Sequence, residues 1–599
     1  MSAGLLELTT IIVLAAILSI IARVFRQPAI LAYLLTGVVI SILAANGIVT
    51  SVAGLHERET FQIFADLGIM FLLFLVGLEV NYTALRYVGA VALVVGLLQV
   101  LFTTVVGYGL AILLGFAPLP AIYIGIALTF SSTIVVVKLL SEKKELNSLY
   151  GKISIGLLLV QDFIAILVLI ALAGIKTGTD ISTLPIILTT LKGIVIFVVM
   201  VLLGKRVFPP LFDLLARSQE LLFLMSLAWL FLMAAVMQWM DFSIEIGGFL
   251  AGIALANASE HYQIASRVRS LRDFFILIFF VILGSYLQFT SAGGLLLPVI
   301  VFSLFVLIGN LLIVMIVMSA MGYTSRTSFL TAVSIAQISE FSLVLANLGR
   351  GLGHIGDREF SLITWVGIIT ITVSTYLINY NETIYRRLRK VLFWFERSRT
   401  RAEEGFSEIA PKRVLLIGFT RTGQSIAMHL KKDELLVIDQ DPEIIHALKS
   451  EGYAYLYGDA SDDDLFEHVD LTETELIIST VPTFEDNLAL LELTGRVNHE
   501  RGSTGGRPIT LVVRAENERD AVTLYRRGAS YVLLPHFTSG HALGNMVSGT
   551  FDRDRLLHMR ERELQLLSRG GSATQALRLG ASLIHPGRQT NSGGHNPQV

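Results

Sequence analysis

The chain has 599 residues, 53% of them hydrophobic and 16% charged, with a formal net charge of −2. A mean hydropathy of +0.68 exceeds what a soluble protein of this size can bury, so the composition points to a polytopic membrane protein. The near-neutral charge argues against nucleic acid as a partner, and the lack of cysteine excludes disulfides, thiolate metal ligands and thiol redox sensing.

Met1 to Leu8 carries neither a basic leading region nor a small-residue cleavage site, and reads as the start of a retained first span. Apolar stretches recur thirteen times, near 5–22, 28–45, 61–79, 87–115, 120–140, 151–174, 184–204, 219–239, 242–258, 271–289, 293–321, 327–348 and 359–380. Basic residues choose the sides. Arg23, Arg26, Arg86, Lys143, Lys144, Lys205, Arg206, Arg267, Arg269 and Arg326 fall on one side, against Arg58, Lys176, Arg350 and Arg358 on the other. The positive-inside rule then places the N-terminus outside and the C-terminal part in the cytoplasm, in a cell (inner) membrane.

The sixth stretch holds Gln161 and Asp162 in an otherwise apolar run from Ile153 to Leu172. At about 1.5 Å per residue, Asp162 lies roughly 16–18 Å from the end at Gly151, near the middle of a ~30 Å hydrocarbon core. A carboxylate there costs on the order of 2.5–3.5 kcal/mol even on the gentlest insertion scale, and carrying a cation or proton is the usual reason for one. Three other stretches place polar atoms at similar depth: Thr129-Phe130-Ser131-Ser132-Thr133, Asn310, and Gln337-Ile338-Ser339-Glu340-Phe341. Consecutive hydroxyls mark a point where a helix can unwind. Stretches five and twelve enter from opposite sides, as crossed, broken helices of inverted repeats require. Structural readings stand beside these: close packing for the hydroxyls, interhelical bonding for Asn310, and pairing with a helix end for Glu340. Asp66 and Glu245 lie shallow and read as interfacial or capping groups, and Gln99 receives no role. Thr104-Val-Val-Gly-Tyr-Gly109 is close to a potassium-channel filter string, but it lies inside a long apolar run with its threonine out of place, which marks chance similarity.

Beyond the last stretch, Arg386, Arg387, Arg389, Lys390, Arg397, Arg399 and Arg401 interleave with Phe393, Trp394 and Phe395. This basic amphipathic linker, 383–410, reads either as an anchor on anionic lipid or as a regulatory coupling helix. Residues 411–550 then return to soluble charge density. Strands at 413–417, 435–438, before Gly458, 477–481, 509–513 and 531–534 predict a parallel α/β Rossmann-like sheet. Gly418-Phe-Thr-Arg-Thr-Gly423 follows the first strand, a helix runs Gln424 to Leu430, and Asp439 ends the second strand. That is the dinucleotide pattern: glycines admit phosphate to backbone N–H groups and the acid holds a ribose hydroxyl. Gly418, Thr420, Arg421, Gly423, Asp439, Asp459 and Ala460 are the candidate contacts. Thr420 replaces the middle glycine and would crowd a pyrophosphate, so AMP or ATP fits more readily than NAD(H). No substrate domain follows, which favours a regulatory nucleotide sensor over an enzyme. Residues 551–599 form an extension whose last part reads as disordered.

The strings Phe74-Leu-Val-Gly-Leu-Glu79, Ser131-Ser-Thr133, Gln161-Asp162, Ser243-Ile-Glu-Ile-Gly-Gly-Phe-Leu-Ala-Gly252, Gln337-Ile-Ser-Glu-Phe341 and Gly458-Asp-Ala460, in this order and spacing, resemble the Kef-type branch of the cation–proton antiporters fused to a TrkA-N (RCK-type) domain. The resemblance covers nearly the whole chain to about residue 550. It implies a transmembrane exchange domain (1–382), a homodimer with a moving core, and exchange of K+ or Na+ for H+. Asp162 would be the shared site for the transported cation and the proton, with Gln161, Ser131, Ser132, Thr133, Glu340 and Asn310 around it. Electrogenic relatives carry Asn–Asp or paired acids where this chain has Gln–Asp, and a lysine where Asn310 stands; both departures favour electroneutral exchange. No tightly bound metal is expected. A nucleotide-gated cation channel or uniporter on the same fold is the competing reading.

Overall fold

The computed structural model describes residues 3–46, 59–79, 90–173 except 144 and 147, scattered positions between 195 and 206, 218–287 except 241, 243, 257 and 259, 294–392, 411–458, 466, 469–503 and 506–547. The described helices up to Leu392 form one compact unit, and the described residues from 411 onward form another.

The first unit is helical: α1 (Ala3–Val24), α2 (Ala29–Ala45), α3 (Glu59–Glu79), α4 (Ala90–Leu113), α5 (Pro118–Ala127), α6 (Thr133–Glu142), α7 (Leu149–Ala173), α8 (Gln219–Trp239), α9 (Ile244–Leu255), α10 (His261–Ser285), α11 (Leu296–Leu304), α12 (Asn310–Ala320), α13 (Ser325–Ser334), α14 (Glu340–Gly351), α15 (Asp357–Asn379) and α16 (Asn381–Leu392). A π turn, Phe305–Gly309, joins α11 to α12. Among the described residues, seven helices are long and apolar enough to cross a bilayer, and they coincide with seven of the expected stretches. Five more expected stretches are helical in ways such a count passes over. Here α2 is short, α9 shorter still, α10 carries Arg269, Arg272 and Asp273, and two stretches are interrupted. The stretch at 184–204 lies mostly outside the described residues.

The helices fall into two groups. In the first, a panel, α3 packs on α9 and α10, α10 on α2, α8 on α9, and α1 on α2. Close approach here rests on glycine. A Cβ on Gly252 would come within 2.1 Å of the Phe74 carbonyl oxygen, and one on Gly284 within 2.0 Å of that of Leu34. Small residues let helix backbones touch where lipid offers no hydrophobic drive to association. The second group, the core, packs α4 on α5, α7 and α12, α14 on α5 and α15, and α13 on α7 and α12. Contacts between the groups run through α15 and α10: Tyr376 donates from its hydroxyl to the Phe25 carbonyl at 3.1 Å, and Arg350 lies 3.7 Å over the Tyr286 ring.

The second unit is a parallel six-stranded sheet in the order β3-β2-β1-β4-β5-β6. The strands are β1 (Val414–Ile417), β2 (Leu435–Asp439), β3 (Ala454–Tyr457), β4 (Leu476–Ser479), β5 (Thr510–Arg514) and β6 (Tyr531–Leu533). Helices α17 (Arg421–Ala427), α18 (Pro442–Glu451), α19 (Phe484–Ser503), α20 (Glu518–Arg526) and α21 (Pro535–Val547) connect and follow them. Residues alternate between two cores: Leu415, Ile417, Leu436 and Ile438 fill one, and Val414, Leu416, Leu435 and Val437 the other. Burial on both faces explains why these strands are continuously apolar rather than alternating.

Candidate ion and nucleotide sites

Both interrupted stretches break where their polar residues begin. After α5 the chain leaves the helix at Leu128 and resumes at Thr133; after α13 it breaks at Ile335 and resumes at Glu340. Each resumption is capped by serine. Ser132 Oγ accepts from Val135 N at 3.3 Å, and Ser339 Oγ accepts from Phe341 N at 3.1 Å while Ser342 Oγ accepts from Ser339 N. The two breaks meet, since Ser131 Oγ donates to the Ile335 carbonyl at 2.8 Å. Two helix N-termini, each carrying a partial positive charge, therefore start at this junction.

A carboxyl group accompanies each terminus. Thr133 Oγ1, in the first turn of α6, donates to Asp162 Oδ2 at 2.8 Å, and Asp162 is 8% exposed. Glu340 is the first residue of α14, takes the Ser339 hydroxyl at 3.3 Å, and is bonded by that of Ser132. Such a placement offsets the dipole of its own helix.

Beside the carboxyls runs a chain of amides. Ser131 N donates to Gln161 Oε1 at 3.1 Å, and Gln161 Nε2 to Gln99 Oε1 at 2.7 Å. Gln99 Nε2 is shared among Thr103 Oγ1, the Thr129 carbonyl and Asn310 Oδ1 at 3.1–3.3 Å. Thr103 Oγ1 also donates to Asn310 Oδ1 at 2.7 Å. Asn310 follows the π turn, and its Nδ2 reaches the Leu128 carbonyl at 3.4 Å. All of these side chains are fully buried. A buried amide left without partners costs about 1–3 kcal/mol, so each member of the chain favours keeping a partner among the four helices it joins. On the far side of the second break, Ser374 bonds Gln337, and Thr370 Oγ1 accepts from Ile338 N at 3.3 Å.

The structure thus brings Ser131, Gln161 and Asn310 into one network, Thr133 against Asp162, and Ser132 against Glu340. Gln99 and Thr103 belong to the first network as well, while Gln337, Thr370 and Ser374 form separate bonds around the second break. Gln99 was legible as a lone amide in an apolar run, and Val95, Gln99, Thr103, Gly107 and Ala111 are all buried four residues apart along α4. The filter-like string is ordinary helix, where Gly107 packs against Gly125 of α5. Asp66 and Glu245 lie on the panel helices α3 and α9, within electrostatic reach of each other. Among the described residues, no cluster of three or more His, Asp or Glu side chains could hold a metal.

In the soluble unit, the strand order reverses between β1 and β4, which places a ligand crevice beyond their carboxyl ends. Gly418 lies there with φ +86°, a conformation other residues resist. Gly423 approaches it so closely that a Cβ would stand 2.1 Å from the Gly418 carbonyl oxygen. Thr480 Oγ1, just past β4, donates to that same oxygen at 2.9 Å, which draws residues 480 and 481 out of the strand expected to hold them. The helix begins three residues earlier than the sequence reading gave, at Arg421, because extended Thr420 serves as its N-cap residue. Arg421 is exposed at this mouth. Asp439 is 7% exposed, and its carboxylate accepts from Phe419 N at 2.7 Å and Asp441 N at 2.9 Å. It ties the glycine loop to the end of β2. Asp459 and Ala460 lie outside the described residues.

Taken together, a bundle of apolar helices with two interrupted helices joined at their breaks, beside a buried carboxyl group, defines an integral membrane transporter of the broken-helix class, here attached to a Rossmann-like domain. Residues 10–379 match the family described as sodium/hydrogen exchanger, transmembrane, and residues 414–535 match the TrkA-N domain. The chain belongs to the sodium/hydrogen exchanger family and carries a TrkA-N domain. The YbaL protein of Escherichia coli, which bears a cation/proton antiporter name, is 27% identical over 88% of this chain and 94% of its own. KefC of Shigella flexneri, named a glutathione-regulated potassium-efflux system protein, is 26% identical over 80% of this chain and 76% of its own. The solved structure of the sodium proton antiporter MjNhaP1 of Methanocaldococcus jannaschii covers 64% of this chain and 99% of its own, at 14% identity and a TM-score of 0.47.

Proposed function

We propose that this chain is a secondary antiporter exchanging K+ or Na+ for H+ at Asp162, one for one and without net charge movement. The observation that carries the reading is the buried Asp162 carboxylate held by Thr133 at the start of a half-helix. Deprotonated, it takes a dehydrated monovalent cation together with the Thr133 hydroxyl and carbonyl oxygens freed at the break. Protonation cancels the charge and releases the ion. The two ligands exclude each other, and neither occupied form leaves an unpaired charge to cross an apolar barrier. Gln161, Ser131, Ser132 and Asn310 hold the junction's shape, and Glu340 supplies a fixed counter-charge to a helix end.

The names of the relatives, cation/proton antiporter and potassium-efflux protein, support the same substrates. The TrkA-N unit is the regulatory part, binding AMP, ATP or NAD(H) around Gly418, Thr420, Gly423 and Asp439. The protein works as a homodimer in a cell membrane, with its N-terminus outside and the TrkA-N unit in the cytoplasm.

The test uses purified full-length protein in proteoliposomes. An imposed K+ or Na+ gradient is expected to drive protons in the opposite sense, with no change in rate when a valinomycin-independent membrane potential is imposed. Cation current without proton movement overturns the exchange reading in favour of a channel.

A further inference from the structure

A single residue, Tyr380, separates helix α16 from the end of α15. Since α15 is long and apolar enough to cross a bilayer, α16 lies where that helix emerges from it. Its first turn is pinned. Asn381 Oδ1 accepts from Lys143 Nζ at 2.6 Å, Glu382 takes Arg326 Nε at 3.0 Å, and the Tyr385 hydroxyl lies 3.0 Å from Ser325 Oγ. Lys143 follows α6, while Ser325 and Arg326 open α13, so both interrupted helices hold this turn.

The pins fix the helix's rotation, and the remaining faces are sorted by chemistry. At 100° per residue, Asn381, Tyr385 and Leu392 share the docked side. Leu388 and Val391, 41% and 65% exposed, form with Ile384 an apolar strip next to it. Arg386, Arg387 and Lys390 occupy the opposite edge, and all three are exposed. An apolar strip bordered on its undocked side by cations, held at the level where a span leaves the bilayer, matches a surface of acyl chain and anionic headgroup. A soluble acidic partner would meet the cations but leave the apolar strip in water.

We propose that α16 docks on anionic lipid, with Leu388 and Val391 entering the acyl boundary and Arg386, Arg387 and Lys390 holding the headgroups. This proposal does not depend on which ions the protein exchanges.

The absence of cysteine makes the test direct. A fluorophore is placed on V391C in the full chain, and the protein is reconstituted either in phosphatidylcholine or in an equimolar mixture with phosphatidylglycerol, with brominated phosphatidylcholine as the quencher. Quenching is expected to be several-fold stronger in the anionic mixture. In the R386Q/R387Q/K390Q background the difference is expected to vanish, each neutralised residue weakening partition about fivefold. Equal quenching in both compositions, or an unchanged response in the triple variant, overturns the proposal. So does a label shielded from both lipid quencher and aqueous iodide, which identifies a protein partner instead.

Discussion

In the panel, α3 meets α9 with so little between them that a Cβ on Gly252 would collide with a carbonyl oxygen. In the core, α4, α7, α12 and the α5–α6 break are held by a chain of amides and hydroxyls with bonds of 2.7–3.4 Å. Both groups join helices in a setting where apolar surface gives no drive to associate. The panel does so with backbone contact, which has one good geometry and resists sliding. The core does so with polar bonds, each of which can be exchanged for another of similar strength as groups move. Backbone contact in one group and polar bonding in the other are thus written in different residue types.

Four changes break or sharpen that contrast. Asp162→Asn is expected to reduce exchange in proteoliposomes to the protein-free background while nucleotide binding and thermal unfolding stay unchanged; retained exchange would remove Asp162 from the mechanism. Gly252→Leu drives a side chain into backbone and is expected to lower stability by about 1–3 kcal/mol or more, seen as a lower unfolding temperature and yield, with cation affinity intact in the folded fraction. Gln99→Leu removes the amide that Gln161 and Asn310 share and is expected to cost about 1–3 kcal/mol, together with a partial loss of exchange rate. If only stability falls, the amide chain is a strut and not part of the moving centre. Asp439→Asn keeps one acceptor for Phe419 N or Asp441 N but not both, and is expected to weaken the glycine loop by about 1 kcal/mol. Calorimetry with AMP, ATP and NADH on the full chain reads this as weaker binding, with basal exchange unaltered.

Asp162 was legible because a single charge in twenty apolar residues has few structural excuses. The six strands were legible within about two residues because the central β1 and β2 are buried on both faces and the first four apolar runs end at Gly, Asp or Ser/Thr. Gln99 stood out only as a lone amide without a role, because one amide in a long span looks the same whether it joins two helices or anchors four. The pairing of Gln337 with Ser374 was not legible, because it joins the break after α13 to α15, and no spacing rule connects positions so far apart. Asp439 was placed correctly at the end of β2, yet its bonds to Phe419 and Asp441 depend on how the loop folds back, which residue types alone leave undetermined.

The π turn before Asn310 bears on how that centre could let go. It holds one residue beyond what an α-helix accommodates, so rewinding Phe305–Gly309 as regular α-helix with the same residues would swing every later side chain by about 100°. The helix would remain as long and as greasy, but the Asn310 amide would turn away from Gln99 and Thr103. The Asn310 bonds to Gln99 and Thr103 therefore depend on that one wide turn, and a twist there would break them without any displacement along the bilayer normal.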